Sequence, residues 1–208
     1  MKNKLYAAVF MLLMSAASSA KDGDWKHQES SGLFSLGTRN TFSMFNDDNA
    51  VGKGIGGQFR IQFSNRINTE WYADFITSKD RQYTSRNDYH IGWSAMYYPG
   101  NNIQFERFLQ PYFLAGHCFD YTIVSEQNNE SNFADRLSMA TQAGVGTHLN
   151  ITKQFDCSLS AQYMLHFGKK IETTVSNEQV LIEKKNFSSA DGHLLLTISF
   201  NYKFGKLW

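Results

Sequence analysis

The chain has 208 residues, with 20 Lys and Arg against 19 Asp and Glu, so its formal charge of +1 gives nucleic acid nothing to bind. Two prolines beside fifteen glycines, seventeen Phe, ten Tyr and four Trp point to an all-β chain with aromatic-rich faces, and the length fits one domain. Two cysteines are too few to staple a small secreted fold, which leaves the architecture to the strands.

Residues 1–20 read as a signal peptide: Lys2 and Lys4 precede an apolar run from Leu5 to Met14, and small residues lead up to cleavage after Ala20. Cleavage leaves residues 21–208 and turns the charge of +1 into −1, because two lysines and no acid are lost. The apolar run is far shorter than the roughly 20 residues of a membrane-spanning helix, and no Cys follows the cleavage site to accept a lipid. The expectation is export without a helical or lipid anchor.

After a polar leader, Lys21 to Ser31, a first strand from about Leu33 to Phe45 sets Phe34, Leu36, Phe42 and Met44 against Ser35, Gly37, Arg39, Thr41 and Ser43. Asn46-Asp47-Asp48-Asn49 turns the chain. A second strand, Ile55 to Ser64, sets Ile55, Phe59, Ile61 and Phe63 against Gln58, Arg60 and Gln62; a third, Thr69 to Thr77, sets Trp71, Ala73 and Phe75 against Glu70, Tyr72 and Asp74. Arg66-Ile67-Asn68 as a three-residue turn pairs Asn65 with Thr69 and so places Arg60 opposite Asp74.

Lys79 to Asp88 reads as a polar loop. A fourth strand, Tyr89 to Tyr98, sets Tyr89, Ile91, Trp93, Ala95 and Tyr97 against His90, Gly92, Ser94 and Met96, and Pro99-Gly100-Asn101-Asn102 stops it. In the fifth, Gln110 to Val124, Phe113, Ala115, His117, Phe119, Tyr121 and Ile123 oppose Gly116, Cys118, Asp120 and Thr122. Ser125 to Arg136 reads as a long exposed loop.

The sixth strand, Leu137 to Ile151, sets Met139, Ala143, Val145, Leu149 and Ile151 against Gln142, Gly144, Gly146 and His148; Thr152-Lys153-Gln154 is a short turn. The seventh, Phe155 to Phe167, sets Phe155, Leu159, Ala161, Tyr163, Leu165 and Phe167 against Ser158, Ser160, Gln162, Met164 and His166. Lys169 to Asp191 is the longest loop, with enough β-branched residues to form a protruding hairpin that turns near Ser176-Asn177-Glu178. The eighth, Leu194 to Phe204, alternates strictly, with Leu194, Leu196, Ile198, Phe200, Tyr202 and Phe204 on one face. The parities put Cys118 and Cys157 on opposite faces, so two free thiols are expected.

Eight strands joined alternately by long polar loops and short turns match a bacterial outer-membrane barrel, whose short turns lie in the periplasm and whose long loops face outward. The expected fold is an all-β, eight-stranded, antiparallel, transmembrane up-and-down barrel over residues 21–208. A soluble lipocalin-type barrel is the alternative, with the two faces exchanged. Three features favour the polar face as the lumen. Its charges are few and of mixed sign (Arg39, Arg60, Glu70, Asp74, Asp120, Lys203), and they stand with His90, His148 and His166 as a polar lumen network. Glycines gather on that face. Aromatics gather near strand ends on the other, with Trp71, Tyr97, Phe155, Tyr202 and Phe204 as the girdle on the turn side and Phe42, Tyr89, Tyr121 and Phe167 on the loop side.

Pro111-Tyr112-Phe113-Leu114-Ala115-Gly116, Gln142-Ala143-Gly144-Val145-Gly146 and the closing Phe200-Asn201-Tyr202-Lys203-Phe204 resemble the OmpA/OmpX-type outer-membrane β-barrel domain over nearly all of the mature chain. The resemblance implies a monomer surrounded by outer-membrane lipid and lipopolysaccharide, assembled through recognition of its C-terminal strand by the barrel assembly machinery. The aromatic terminus read by that machinery is Trp208 or is displaced by Gly205-Lys206-Leu207-Trp208, and no residues remain for a peptidoglycan-binding domain.

Site chemistry is sparse. Small lipid A deacylase barrels carry a Ser two residues after the catalytic His, whereas Gly168 follows His166 here, so no catalytic residues are expected. His90, His148 and His166 sit on three different strands without local ligand spacing and read as polar filler; no metal and no cofactor is expected. Asp47, Asp48, Glu126 and Glu130 could weakly hold divalent cations but read as solvated, and Gly23-Asp24-Trp25 is too short a match to support a lipocalin. The glycosylation-like triplets at Asn129, Asn150 and Asn186 would matter only in a eukaryotic secretory route. Two functions follow: a non-enzymatic barrel that supports outer-membrane integrity or binds through its loops, and, as the alternative, a lipid-modifying enzyme.

Overall fold

A strand with one apolar face still exposes unpaired amide and carbonyl groups along both edges, and closing the sheet on itself pairs them all. This chain does so: each strand pairs antiparallel with its neighbour in sequence, and the first pairs with the last. The computed structural model describes residues 31–45, 51–80, 83–99, 107–176 and 179–208. Its strands are β1 (Leu33–Phe45), β2 (Val51–Gln62), β3 (Ile67–Asp80), β4 (Thr84–Tyr97), β5 (Leu109–Glu126), β6 (Asn129–Asn150), β7 (Phe155–Ser176) and β8 (Gln179–Lys206). The signal peptide, Gly23-Asp24-Trp25, Asp47, Asp48, the Asn46–Asn49 and Asn101-Asn102 turns and the Glu130 side chain lie outside the described residues.

The polar faces point inward. Arg39, Arg60, Glu70, Asp74, His90, Asp120, His148, His166 and Lys203 are all buried, while Ile55, Ile91, Phe113, Leu137, Val145 and Phe200 are exposed. A lipocalin-type barrel would have these faces exchanged, so the inverted alternative is overturned. Cys118 faces the lumen, Cys157 faces outward among its neighbours, and both thiols are free.

Outside, aromatic rings form a continuous row from Phe155 to Tyr202 (4.8 Å between centroids), Phe204 (4.9 Å), Phe34 (6.1 Å), Phe59 (6.2 Å), Trp71 (6.0 Å), Trp93 (6.1 Å) and His117 (5.4 Å). Barrel strands tilt, so a row that follows the hydrogen-bond direction climbs the wall instead of circling it. It leaves the turn end at Phe155 and reaches the middle of β5 at His117. Trp71 therefore lies inboard of the rim, four residues into the barrel from Ile67, while Tyr97 stands exposed at the last position of β4.

The expected loops are mostly strand. The β1–β4 wall uses strands of 13, 12, 14 and 14 residues, whereas β5 to β8 run 18, 22, 22 and 28. About 9–11 residues suffice to cross a bilayer, so the excess projects from the loop end as two ribbons. Ser125–Arg136, read above as an open loop, is the tip of the β5–β6 ribbon, with Val124 paired to Ala134 and Glu126 to Asn129. Within Lys79–Asp88, residues 79–80 and 84–88 likewise pair, Asp80 with Thr84. The protruding hairpin between strands seven and eight is present, with Ser176 paired to Gln179.

The β2–β3 register differs from the expected one. Arg60 stands opposite Glu70 and Asp74 opposite Gly56, not Arg60 opposite Asp74. The turn is Ser64-Asn65-Arg66, because the Ser64 hydroxyl accepts the amides of Arg66 (3.3 Å) and Ile67 (3.1 Å) and closes the chain two residues earlier. Ile67 thereby stays in β3 with its side chain on the apolar exterior.

Candidate functional site

The lumen is filled in successive layers. At the turn end, the Arg60 guanidinium donates through Nη2 to both oxygens of Asp156 (2.8 and 2.6 Å), through Nε to Ser35 (3.2 Å) and through Nη1 to Ser158 (3.2 Å). Lys203 Nζ lies 3.3 Å from the same carboxylate and donates to Asn150 Oδ1 at 2.9 Å. His148 packs beside Arg60, with Nδ1 2.9 Å from Nη1, and meets the Tyr98 hydroxyl at 2.9 Å.

Next inward, Arg39 donates through Nε to Asp74 (3.0 and 3.1 Å) and through Nη1 to Glu70 (2.5 Å) and Gln58 (3.0 Å), while its guanidinium carbon sits 4.2 Å over the Tyr72 ring. Across these two layers Arg39, Arg60 and Lys203 meet Glu70, Asp74 and Asp156, three charges against three. Buried charges persist only when paired and hydrogen-bonded, and this arrangement satisfies both conditions. Beyond them an apolar layer of Tyr72, Ile76, Cys118, Ala140, Met164 and Leu195 fills the cross-section.

The layer on the loop side of that plug is different in kind. His90 from β4, His166 from β7 and His193 from β8 converge there, all buried, with ring centroids 6.1 Å (His90–His166), 6.0 Å (His90–His193) and 4.8 Å (His166–His193) apart. Asp120 from β5 lies between two of them, with Oδ1 3.2 Å from His90 Nε2 and Oδ2 3.1 Å from His166 Nδ1. Thr122 donates to Asp120 (3.1 Å) and to Asp88 (2.7 Å), and Arg86 binds Asp88 from the loop side.

Of the three histidines read as filler on three different strands, His148 lies in the turn-end layer, and His90 and His166 are brought together by barrel closure. Ser138 and Asp120 both approach His166 at Nδ1, at 3.4 and 3.1 Å. A nucleophile relay needs them on opposite ring nitrogens, so this trio is not built as a hydrolase triad. His166 also faces the lumen, away from the bilayer where an acyl chain would lie.

Arg86 and Asp88 of these networks fall in the segment read as a polar loop, and Asp156 and His193 fall outside the polar faces read from the sequence. Asp156 precedes Ser158 by two and His193 precedes Leu195 by two, so parity alone places both on the lumen face. A strand that begins at Leu194 leaves His193 outside it, and a polar face that begins at Ser158 leaves out Asp156. Two ribbon contacts were likewise hidden: Asn132 Nδ2 donates to the Val180 carbonyl (2.8 Å), and Lys184 Nζ binds Asp135 Oδ1 (2.7 Å). The hydrogen bond from Lys184 holds the exposed Asp135 carboxyl below its ordinary range. The β5–β6 and β7–β8 ribbons are therefore docked on each other, and Phe133, Val175 and Leu181 stand exposed on them.

No family model matches the chain, and no curated protein sequence matches it. Among solved structures, the outer membrane protein OprG from Pseudomonas aeruginosa is similar at a TM-score of 0.52 and 17% identity, covering 83% of this chain and 96% of that one. Neisserial surface protein A (NspA) is similar at 0.50 and 16% identity, covering 85% and 99%. At these identities the likeness is one of architecture: the chain has the fold of a small eight-stranded outer-membrane β-barrel.

Proposed function

We propose that the chain is a monomeric integral protein of the bacterial outer membrane, exported by residues 1–20, that has no catalytic centre and offers its docked ribbons as a binding or adhesion surface outside the cell. The observation that carries this reading is the Asn132–Val180 and Lys184–Asp135 bridging of two ribbons that also expose Phe133, Val175 and Leu181. Ribbons fixed to each other lose little conformational entropy on binding a partner, and apolar side chains on a polar framework make anchor points.

The apolar exterior suits outer-membrane lipid, with lipopolysaccharide around the loop end. For the barrel assembly machinery, β8 offers Tyr202 and Phe204 at the turn end, and Trp208 donates its indole N–H to Ser31 (3.1 Å) beside Phe63. The test is retention on protein-coated surfaces of bacteria that display the chain. Phe133→Ser with Leu181→Ser should abolish retention while leaving the amount of protein in the outer membrane unchanged; undiminished retention would contradict the adhesive role.

A further inference from the structure

We propose that His90, His166 and His193 form a binding site for a divalent transition metal of the zinc class, held inside the barrel between the apolar plug and the loop end. One ligand atom from each of the three rings lies within 4.8 Å of the other two. A tetrahedral zinc with Zn–N bonds near 2.0–2.1 Å needs its nitrogens about 3.3 Å apart, a closure that side-chain rotations can supply. Imidazole sets of this kind suit zinc, copper and nickel, whereas calcium and magnesium select oxygen ligands.

The tautomers point the same way. Asp120 lies within reach of His166 Nδ1 and His90 Nε2, so a proton on each of those nitrogens leaves His166 Nε2 and His90 Nδ1 with their lone pairs available. Among the described residues neither of those two nitrogens has a hydrogen-bond partner, although their rings are 2% and 1% exposed. Metal-bound histidines characteristically give their second N–H to a carboxylate, which fixes the ring and raises its basicity. Asp120 Oδ2 is placed for that role at His166 Nδ1 (3.1 Å) and is oriented by the Thr122 and Ser138 hydroxyls (3.1 and 3.2 Å), while Oδ1 lies 3.2 Å from His90 Nε2 without completing a hydrogen bond.

Barrel closure makes the site. Ala140 pairs with His166 and Met164 with His193, so the rings rest on the apolar plug and an ion reaches them from the loop end, past Asp88 and Arg86. His193 lies just inside the point where β8 leaves the ribbon. A bound ion therefore ties the base of the β7–β8 ribbon to β4 on the facing wall.

The test uses the tag-free mature chain, refolded in detergent, stripped with EDTA and titrated with zinc. The expected result is one saturable site per chain, a rise in the unfolding temperature with zinc, and a zinc X-ray absorption spectrum showing three imidazole nitrogens. His90→Ala, His166→Ala and His193→Ala should each weaken binding at least about 100-fold, and Asp120→Asn about 10–100-fold. His27→Ala with His117→Ala should leave it unchanged. The absorption spectrum is read on the unmutated protein, so it decides the matter even where a variant fails to fold. No saturable binding up to about 1 mM zinc, an oxygen-only coordination sphere, or loss of binding in the His27/His117 variant would overturn the proposal.

Discussion

Arg60 and Asp156 are joined across the turn end of the lumen by two hydrogen bonds from one guanidinium nitrogen, 2.8 and 2.6 Å long, although 96 residues separate them in sequence. Both side chains are essentially inaccessible, 3% and 1% exposed. Removing one partner of such a pair leaves the other charge buried and uncompensated, a loss on the order of 3–5 kcal/mol. Asp156→Ala is therefore expected to lower stability in urea by about that amount, and to cost less in an Arg60→Ala background, where Lys203 still pairs with the carboxylate. Asp74→Ala should show no such coupling to Arg60, because its partner is Arg39. A folding-titration cycle on the four Arg60/Asp156 combinations measures this; additive losses would contradict the pairing.

A glycine on β4 and one on β2 test the assignment of faces. A Cβ on Gly92 would lie 2.6 Å from the Tyr72 hydroxyl and 2.7 Å from the His117 carbonyl, a backbone atom that cannot turn aside. Gly57 points outward, and the nearest atom to its Cβ position is 3.8 Å away. Gly92→Ala is expected to destabilise by about 1–3 kcal/mol through overpacking, and Gly57→Ala to be neutral or to stabilise by roughly 0.5–1 kcal/mol. Equal effects at the two positions, measured by unfolding in lipid vesicles, would show that the faces are misassigned.

Much of this arrangement is legible in the sequence because a bilayer imposes the alternation. Phe59-Arg60-Ile61-Gln62 can satisfy lipid on one side and a packed lumen on the other in only one parity, and that parity is observed. Beyond the bilayer both faces of a ribbon meet water, alternation loses its cause, and Ser125–Arg136 looks like a loop while its backbone stays paired. Parity also leaves register free by steps of two. The Ser64 hydroxyl settles it for β2–β3, which is why Arg60 faces Glu70. The histidine cluster depends on the β1–β8 closure that brings β4 to face β7 and β8, a relationship that no local spacing records.

Ribbon docking should respond to acid. The hydrogen bond from Lys184 depresses the Asp135 pKa in the folded state, so its contribution is complete above the ordinary carboxyl value near 3.8 and is lost as pH falls through the lowered folded value. Amide exchange in β6 and β8 around Asp135 and Lys184, taken relative to the unstructured chain at the same pH, is expected to be unchanged from pH 7 to 5 and to quicken on further acidification. In Lys184→Met it should be fast already at pH 7. Equal exchange in the two proteins at neutral pH would remove the pair from the account.

The Arg60 and Arg39 layers and the plug of Tyr72, Ile76, Met164 and Leu195 are buried in the lumen, and side chains fill the interior of a barrel of eight strands. Purified monomer in planar bilayers is expected to show no sizeable conductance. Stable open channels would contradict the packing described.

The apolar face of the closed barrel is built to meet lipid, and the most direct measurement of this is electrophoresis of the membrane-extracted protein with and without boiling. A closed sheet with every strand paired and a charged lumen resists detergent until heated, so the outer-membrane fraction should hold a species that migrates faster unboiled than boiled. Recovery from the soluble periplasm, with identical migration before and after boiling, would contradict it.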